Sequence, residues 1–348
     1  MKEAIAGLRA RHATKSIREQ FGQSMLALAQ SNPDLVAITA DLMYATGMAE
    51  FGAKFPERLI NVGIAEQNMT GIAAGMASCG KVPVTCGYAA FTSLRALEQA
   101  KVDCAYNELK VILAGLSAGV SYGVGGPTHQ TYEDVAIMRA IPNMTVVVPS
   151  DAIEVDQALS ACVNSTKAAP IFLRLGRGPE YLFNDLTAPF KIGEARKLRD
   201  GRDLCIVANG SMVFESLLAC DALARSGIQC SVLNVHTVKP IDAQALLAEA
   251  ARVEAILVVE EHNVHGGLGS AVLEVLEGVR RCLVERIGIP DIFPPIGPTF
   301  ELRVALGLDA EHIATRALAL LDRARKPATN DSVSTERSVG GSEFGESE

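Results

Sequence analysis

Glu66 is the first residue in this chain placed where it could do chemistry. It lies in the run Asn61-Val62-Gly63-Ile64-Ala65-Glu66-Gln67-Asn68-Met69, at the first turn of a Gly/Ala-rich stretch that includes Gly71 and Gly75. Apolar flanks would desolvate its carboxyl, and the small residues let a ligand or another chain approach closely. The plainer reading is an acid that complements a helix dipole. A second group is Gly123-Val124-Gly125-Gly126-Pro127-Thr128-His129-Gln130. Its glycines suit a loop that lies against a ligand. His129, expected at the start of the next helix, could donate a hydrogen bond or move a proton near neutral pH, or simply cap a turn. No Lys-Ser/Thr follows, so the loop is not a Walker A sequence, and its spacing is not that of a dinucleotide-binding fingerprint. Tyr88 and Phe91 follow a strand in Gly87-Tyr88-Ala89-Ala90-Phe91. They could stack on a flat heterocycle or pack a helix. Arg174 and Arg177, in Arg174-Leu175-Gly176-Arg177-Gly178, suit a phosphate or carboxylate, or are solvated linker residues.

These residues need elements to hold them. Strands are expected at Leu35–Thr39, Lys81–Cys86, Val111–Ala114, Thr145–Pro149 and Ile171–Leu175, with helices at Glu66–Ser78, Thr92–Tyr106 and Ala152–Val163 between them. After a Gly/Pro/Arg-rich pause the pattern restarts. Strands are expected at Leu204–Ala208, Gln229–Val235 and Ala255–Glu260, and helices at Phe214–Ser226, Ala243–Arg252 and Leu268–Gly278. Continuous apolar strands alternating with helices predict an α/β chain of two domains, each a mostly parallel sheet flanked by helices. The expected boundaries are 1–185, a linker at 186–200, and 201–326, followed by a disordered acidic tail at 327–348. The tail carries five acids and one base, half of the chain's net charge of −8. In open sheets of this kind ligands bind beyond the strand carboxyl ends, where Tyr88 and Phe91 fall.

Composition narrows the function classes. The 348 residues are 49% apolar and 21% charged, with mean hydropathy +0.21. That supports buried cores and argues against a disordered chain. The acidic balance gives no general footprint for nucleic acid. No apolar stretch reaches the roughly 18 to 20 residues of a membrane span, and Met1–Lys15 has no signal-peptide pattern. The eight cysteines form no C-x-x-C pair, which reads as cytoplasmic thiols rather than disulfides or a zinc site.

Taken together, the motifs closely resemble the transketolase family. The resemblance runs through Thr39-Ala40-Asp41-Leu42, the stretch from Phe55 to Met69, and Gly126-Pro127-Thr128-His129-Gln130. It continues through Ile141-Pro142-Asn143-Met144, Val148-Pro149-Ser150-Asp151, Glu260-Glu261-His262 and Gly266-Gly267-Leu268-Gly269-Ser270. It covers roughly residues 15 to 325 and is to the C-terminal half of the family's chain, the pyrimidine-binding plus C-terminal domains. The Gly-Asp-Gly motif of the other half does not occur here. The resemblance therefore implies a split transketolase. A separate N-terminal subunit would bind Mg²⁺ (or Ca²⁺) and the diphosphate of thiamine diphosphate, in a heterotetramer with two of each subunit. The activity implied is transfer of a two-carbon ketol unit from a ketose phosphate to an aldose, with the cofactor carrying the chemistry. Glu66 would hydrogen-bond N1′ of the aminopyrimidine and favour its imino tautomer. Phe91 and Tyr88 would wall the ring, and Asp41 would help couple the subunits at the cofactor site. His129 would lie beside the reacting carbons, and Arg177 and Arg18 would grip the sugar phosphate.

Three positions depart from the family pattern. Gly125 replaces an Asp that contacts a substrate hydroxyl, Ser117 replaces an active-site His, and Ala45 replaces a Ser used toward the phosphate. Every position matching the cofactor site is kept. This implies intact cofactor chemistry acting on a different sugar, such as a branched, deoxy or sulfonated ketose. The rival readings are the β subunit of a 2-oxo acid dehydrogenase, which normally carries a different His loop, and a 1-deoxyxylulose-5-phosphate synthase fragment. A catalytically dead assembly subunit is a third, and the presence of Glu66 argues against it.

Overall fold

The computed structural model describes residues 2–279 and 282–326; the expected disordered tail at 327–348 lies outside the described residues. Two helix-flanked sheets and one two-stranded ribbon make up the fold. The seven-stranded sheet runs Thr237–Lys239, Thr145–Val147, Ile171–Arg174, Ile112–Leu116, Val82–Tyr88, Leu35–Thr39, Leu59–Asn61. All neighbours are parallel except the first pair. The five-stranded sheet runs Leu283–Ile289, Ala255–Asn263, Leu204–Ala208, Cys230–Asn234, Arg196–Arg199 and is parallel up to its last, antiparallel strand. The central strands are apolar and buried along their whole length, as at Leu35–Thr39, Ile112–Leu116 and Leu204–Ala208. Helices covering both faces leave no solvated side to such strands.

Parallel pairing lines up the carboxyl ends. Thr39 pairs with Asn61 and Cys86, Tyr88 with Leu116, and Gly115 with Arg174. The residues that follow these ends therefore share one edge, and Asp41, Glu66, Phe91, His129 and Arg177 all lie beyond it in sequence.

The structure corrects the expected boundaries in three places. Arg196–Arg199, placed in the 186–200 linker, is the edge strand of the second sheet. Thr237–Lys239, placed in the 201–326 domain, crosses over and pairs with Thr145–Val147 of the first sheet. Lys2–Arg9, placed in the 1–185 domain, sends Ile5 into the core built from the second sheet, beside Leu218, Leu320 and Leu321. Each is a short piece decided by tertiary packing rather than by its own pattern. A helix at Ile17–Ser31, capped by Ser16 accepting from the Glu19 N–H (3.3 Å), also went unread. The expected helix Thr92–Tyr106 is two wide π turns, Phe91–Arg95 and Ala100–Tyr106, around a short α segment. Such turns are frequent at functional sites. The eight cysteines are free thiols, and all but Cys79 are buried.

Candidate active site

The turn that presents Glu66 is fixed by Asn61, at the end of its strand. Asn61 Oδ1 accepts from the main-chain N–H groups of Asp41 (3.0 Å) and Gly63 (3.1 Å), and its Nδ2 donates to Asp41 Oδ1 (3.2 Å). Asp41 has φ +60° and an exposed side chain. An Asn or Asp tolerates that left-handed conformation better than most residues. One residue past Ala65, Glu66 opens the helix Glu66–Ser78.

Glu66 is 1% exposed. Sequence reasoning expected apolar flanks to isolate it, yet Ile64 is 77% exposed. The carboxylate is paired with a charge instead: Arg95 Nη1 donates to Oε2 at 2.7 Å. Arg95 was not read from the sequence; the signal was its spacing, one turn after Phe91, whose ring it covers at 4.4 Å.

The aromatic residues form a cluster with His129. Tyr88 and Phe91 are 6.0 Å apart, and His129 lies 5.5 Å from Phe91 and 6.1 Å from Tyr88. Tyr122, also missed, completes it, 5.6 Å from Tyr88 and edge-on to His129 at 5.8 Å. A lone Tyr within a glycine loop was the signal for it. Tyr122 and His129 both belong to the loop that follows strand Ile112–Leu116. Gly119 and Thr131 close its base by exchanging main-chain hydrogen bonds (2.7 and 3.1 Å). Gly126 turns it with φ +69°. His129 sits in a turn, its N–H donating to Gly126 O (2.9 Å) and its Nδ1 facing Thr128 Oγ1 (2.9 Å). The next helix starts only at Asp134, so the expected helix-start position of His129 is wrong. A Cβ at Gly125 would come within 2.9 Å of the Tyr122 ring and 3.0 Å of His129 Cβ, so any other residue there needs those side chains to shift.

Arg177 ends the row. Its guanidinium lies over Tyr122 at 4.1 Å, and it donates to Tyr88 Oη (2.9 Å) and Ser117 Oγ (3.3 Å). The structure thus brings Glu66, Phe91, Tyr88, His129 and Arg177 into one strip, joined by Arg95 and Tyr122. Asp41 adjoins it through the Glu66 turn. Arg18 stands apart: its main-chain N–H donates to Arg177 O (3.4 Å), but its guanidinium faces Glu19 (3.8 Å) and lines a groove with Tyr44 and Gly47. Arg174 is not available to a ligand. It is buried, donates to Asp134 (2.8 Å), and also donates to the carbonyls of Thr131 and Glu261. Among the described residues no group of three or more His, Cys, Asp or Glu could hold a metal ion, and no helix is long and apolar enough to cross a membrane.

Comparison with known proteins bears on the same strip. The family model "Transketolase, pyrimidine binding domain" matches residues 13–179, and "Transketolase, C-terminal domain" matches 193–313. A 6-deoxy-6-sulfo-D-fructose transketolase subunit from Clostridium sp. (strain MSTE9) is 39% identical over 307 residues, 88% of this chain and 95% of its own. A subunit of the apulose-4-phosphate transketolase from Phocaeicola vulgatus is 37% identical over 308 residues, 88% of this chain and 97% of its own. A 1-deoxy-D-xylulose-5-phosphate synthase from Halothermothrix orenii is 36% identical, over 87% of this chain but only 48% of its own length. Among solved structures, a split gene transketolase described as an inactive beta4 tetramer superposes with a TM-score of 0.81 at 35% identity. It covers 90% of this chain and 100% of that one.

Proposed function

The chain belongs to the transketolase family, and from that premise we propose that it is the C-terminal subunit of a split transketolase. It would transfer a two-carbon ketol unit from a ketose phosphate to an aldose acceptor. One observation carries the reading: the buried Glu66 carboxylate, held on one oxygen by Arg95, stands at the start of its helix, and the same arginine covers the Phe91 ring. An ionised carboxylate accepts more than one hydrogen bond, and a protonated ring nitrogen of an aminopyrimidine is a fitting second donor. The residues present therefore fit the pyrimidine end of thiamine diphosphate. When bound, that cofactor supplies the carbanion chemistry that makes and breaks a carbon–carbon bond next to a carbonyl. Glu66 would hold the shared proton, and Phe91 and Tyr88 would wall the ring. Asp41 would stand at the subunit junction.

His129 would orient the sugar from the middle of the strip, and Arg177 would take the anionic end of the substrate, with Arg18 at its margin. Asn61 and the Glu66 turn would do the positioning. A partner N-terminal subunit would supply the diphosphate and Mg²⁺ (or Ca²⁺) site, two of each forming a heterotetramer. Relatives named as subunits match over nearly their whole length, and the related solved tetramer is described as inactive; both support an incomplete site in the lone chain. The buried free thiols support a reducing, cytoplasmic setting.

The sugar follows from the departures. At Ser117 and Gly125 the family's His and Asp are absent; Arg177 donates to Ser117 Oγ, and a Cβ at 125 would crowd the Tyr122 ring. We infer a ketose that presents fewer hydroxyls there, such as a branched, deoxy or sulfonated one. The relatives named for sulfo-fructose and for apulose 4-phosphate agree with that class. A second reading, 1-deoxyxylulose-5-phosphate synthesis, has the synthase identity in its favour.

The test is reconstitution with the N-terminal subunit, thiamine diphosphate and Mg²⁺. Ketol transfer that is thiamine-dependent and abolished by E66A, with assembly intact, is the expected result. Absence of transfer from every ketose phosphate overturns the reading. Turnover of pyruvate with glyceraldehyde 3-phosphate would favour the synthase. Equal or better use of xylulose 5-phosphate and ribose 5-phosphate than by an ordinary transketolase would remove the altered-sugar inference.

A further inference from the structure

The loop that carries His129 is held largely by the second sheet and the segment following it, and Glu261 stands at the centre of that hold. Strand Ala255–Asn263 ends in Glu260-Glu261-His262. Glu260 stays within its own layer, its carboxylate accepting from the N–H groups of Leu268 (2.7 Å) and Gly269 (2.8 Å). Glu261, 5% exposed, reaches across. Its Oε1 accepts from the Val120 N–H at 2.9 Å, while Oε2 accepts from Ser211 Oγ (3.0 Å) and Arg303 Nε (2.6 Å).

Glycine at 119 lets the carboxylate come this close. A Cβ there would come within 2.1 Å of Glu261 Oε1, and Gly119 has φ +64°. Gly119 and Thr131 close the base of the loop, so the carboxylate grips the loop at its hinge. Three further bonds from the second half follow the loop outward. Thr299 Oγ1 donates to Ser121 O (3.2 Å), the Gly297 N–H to Gly123 O (3.3 Å), and Gln130 Nε2 to Pro295 O (3.2 Å). Arg303 also donates to Glu180 at 2.7 Å, three residues after Arg177. One buried carboxylate–guanidinium pair thus anchors both arms of the strip, the His129 loop and the Arg177 segment.

We propose that Glu261 is a positioning residue for the reaction: it fixes the Gly119–Thr131 loop so that His129 and Tyr122 face Arg177. The catalytic part of this statement rests on the ketol-transfer reading above; the structural part does not. A carboxylate that only cemented two domains would affect every property of the enzyme together. One that positions the loop affects turnover and leaves the Glu66 end untouched, because no bond of Glu261 reaches Glu66, Arg95 or Phe91.

The experiment uses E261A, E261Q and T299V in the full chain. The last removes only the Ser121 contact and keeps the test open where E261A fails to fold. Hydrogen exchange on the chain alone is read first. Amides of 119–131 are expected to exchange about tenfold faster in E261A and faster in T299V, with strand Leu35–Thr39 unchanged. In the reconstituted enzyme, with xylulose 5-phosphate and ribose 5-phosphate as probes, kcat in E261A is expected to fall about 10- to 100-fold. The half-saturating thiamine diphosphate concentration should stay within about twofold. E261Q, which keeps the Val120 acceptor, should recover part of kcat. Loop exchange unchanged in all three variants overturns the proposal. So does a loss of cofactor affinity that parallels the loss of kcat. A wild-type pair with no ketol transfer from any ketose phosphate defeats the functional reading alone, and the exchange data still judge the loop.

Discussion

Arg95 holds Oε2 of the Glu66 carboxylate. Because the arginine is about half exposed (48%) while the carboxylate is 1% exposed, removing it strands a buried charge that water can partly reach. The cost should fall below the roughly 3–5 kcal/mol of a fully buried pair. R95A should therefore fold, and the half-saturating thiamine diphosphate concentration of the reconstituted pair should rise about tenfold. An unchanged value would mean that Arg95 plays no part in setting the carboxylate. A second residue-scale prediction concerns Gly125. G125D alone should lose turnover, because its Cβ meets the Tyr122 ring at 2.9 Å. G125D/Y122V makes room for the side chain and should raise kcat/KM for xylulose 5-phosphate above the G125D value; no recovery would sink the idea that Tyr122 fills the space of the missing acid. At this scale the sequence was legible where residue type and local motif single a position out, as at Glu66, Phe91 and His129, which the structure brings into one strip. It was illegible where partners meet only in three dimensions. Arg95 comes 29 residues after Glu66, and Arg174, whose sequence suits an anion or a solvated linker equally, is instead held by Asp134 and two carbonyls.

The crossover that carries Thr237–Lys239 to the first sheet is an element with its own titration. His236, just before it, is 2% exposed, stacks on Phe190 at 4.1 Å, and gives its carbonyl to the Val148 N–H (2.7 Å). Burial, reinforced by Arg196, lowers its pKa to about 4. The folded value lies below the unfolded one of about 6.5. Above pH 6.5 both states are neutral and the full stability is present. As pH falls from about 6.5 to 4 the unfolded chain takes up the proton first, and up to about 3 kcal/mol is lost. H236F should flatten the pH dependence of urea unfolding across that window. A slope equal to wild type would show that this histidine does not control it. Element legibility follows the same logic as burial. Long apolar strands such as Leu35–Thr39 and Leu204–Ala208 were read to the residue, since both faces are covered. Three- and four-residue edge strands such as Thr237–Lys239 and Arg196–Arg199 were not. Their polar residues carry no period, and only the neighbouring strand defines them.

At the scale of the molecule, the open question is where the other half of the site docks. The helix Glu66–Ser78 and the π turn Ala100–Tyr106 are neighbours, Gly71 facing Asp103 across a groove shared with Gly75, Ser78 and Asn107. Around them stand large apolar side chains exposed beyond what the fold needs: Ile64 (77%), Tyr106 (83%), Leu94 (41%) and Val102 (40%). Where such side chains gather they are candidates for an interaction site. Ile64 and Leu94 adjoin the Glu66 turn and Arg95 in sequence, so on the reading proposed above this is the expected docking face of the N-terminal subunit. Ile64 and Tyr106 fill no core position, so I64D and Y106K should leave the melting temperature of the free chain unchanged. Association with the N-terminal subunit, read by sedimentation, should weaken at least about tenfold for each, or about 1.4 kcal/mol. The double variant should be inactive at concentrations where wild type is assembled, and recover when the partner is raised far above its dissociation constant. Full-strength assembly of the double variant would mean that the partner meets a different face, and that the Glu66 turn is completed by something other than the N-terminal subunit.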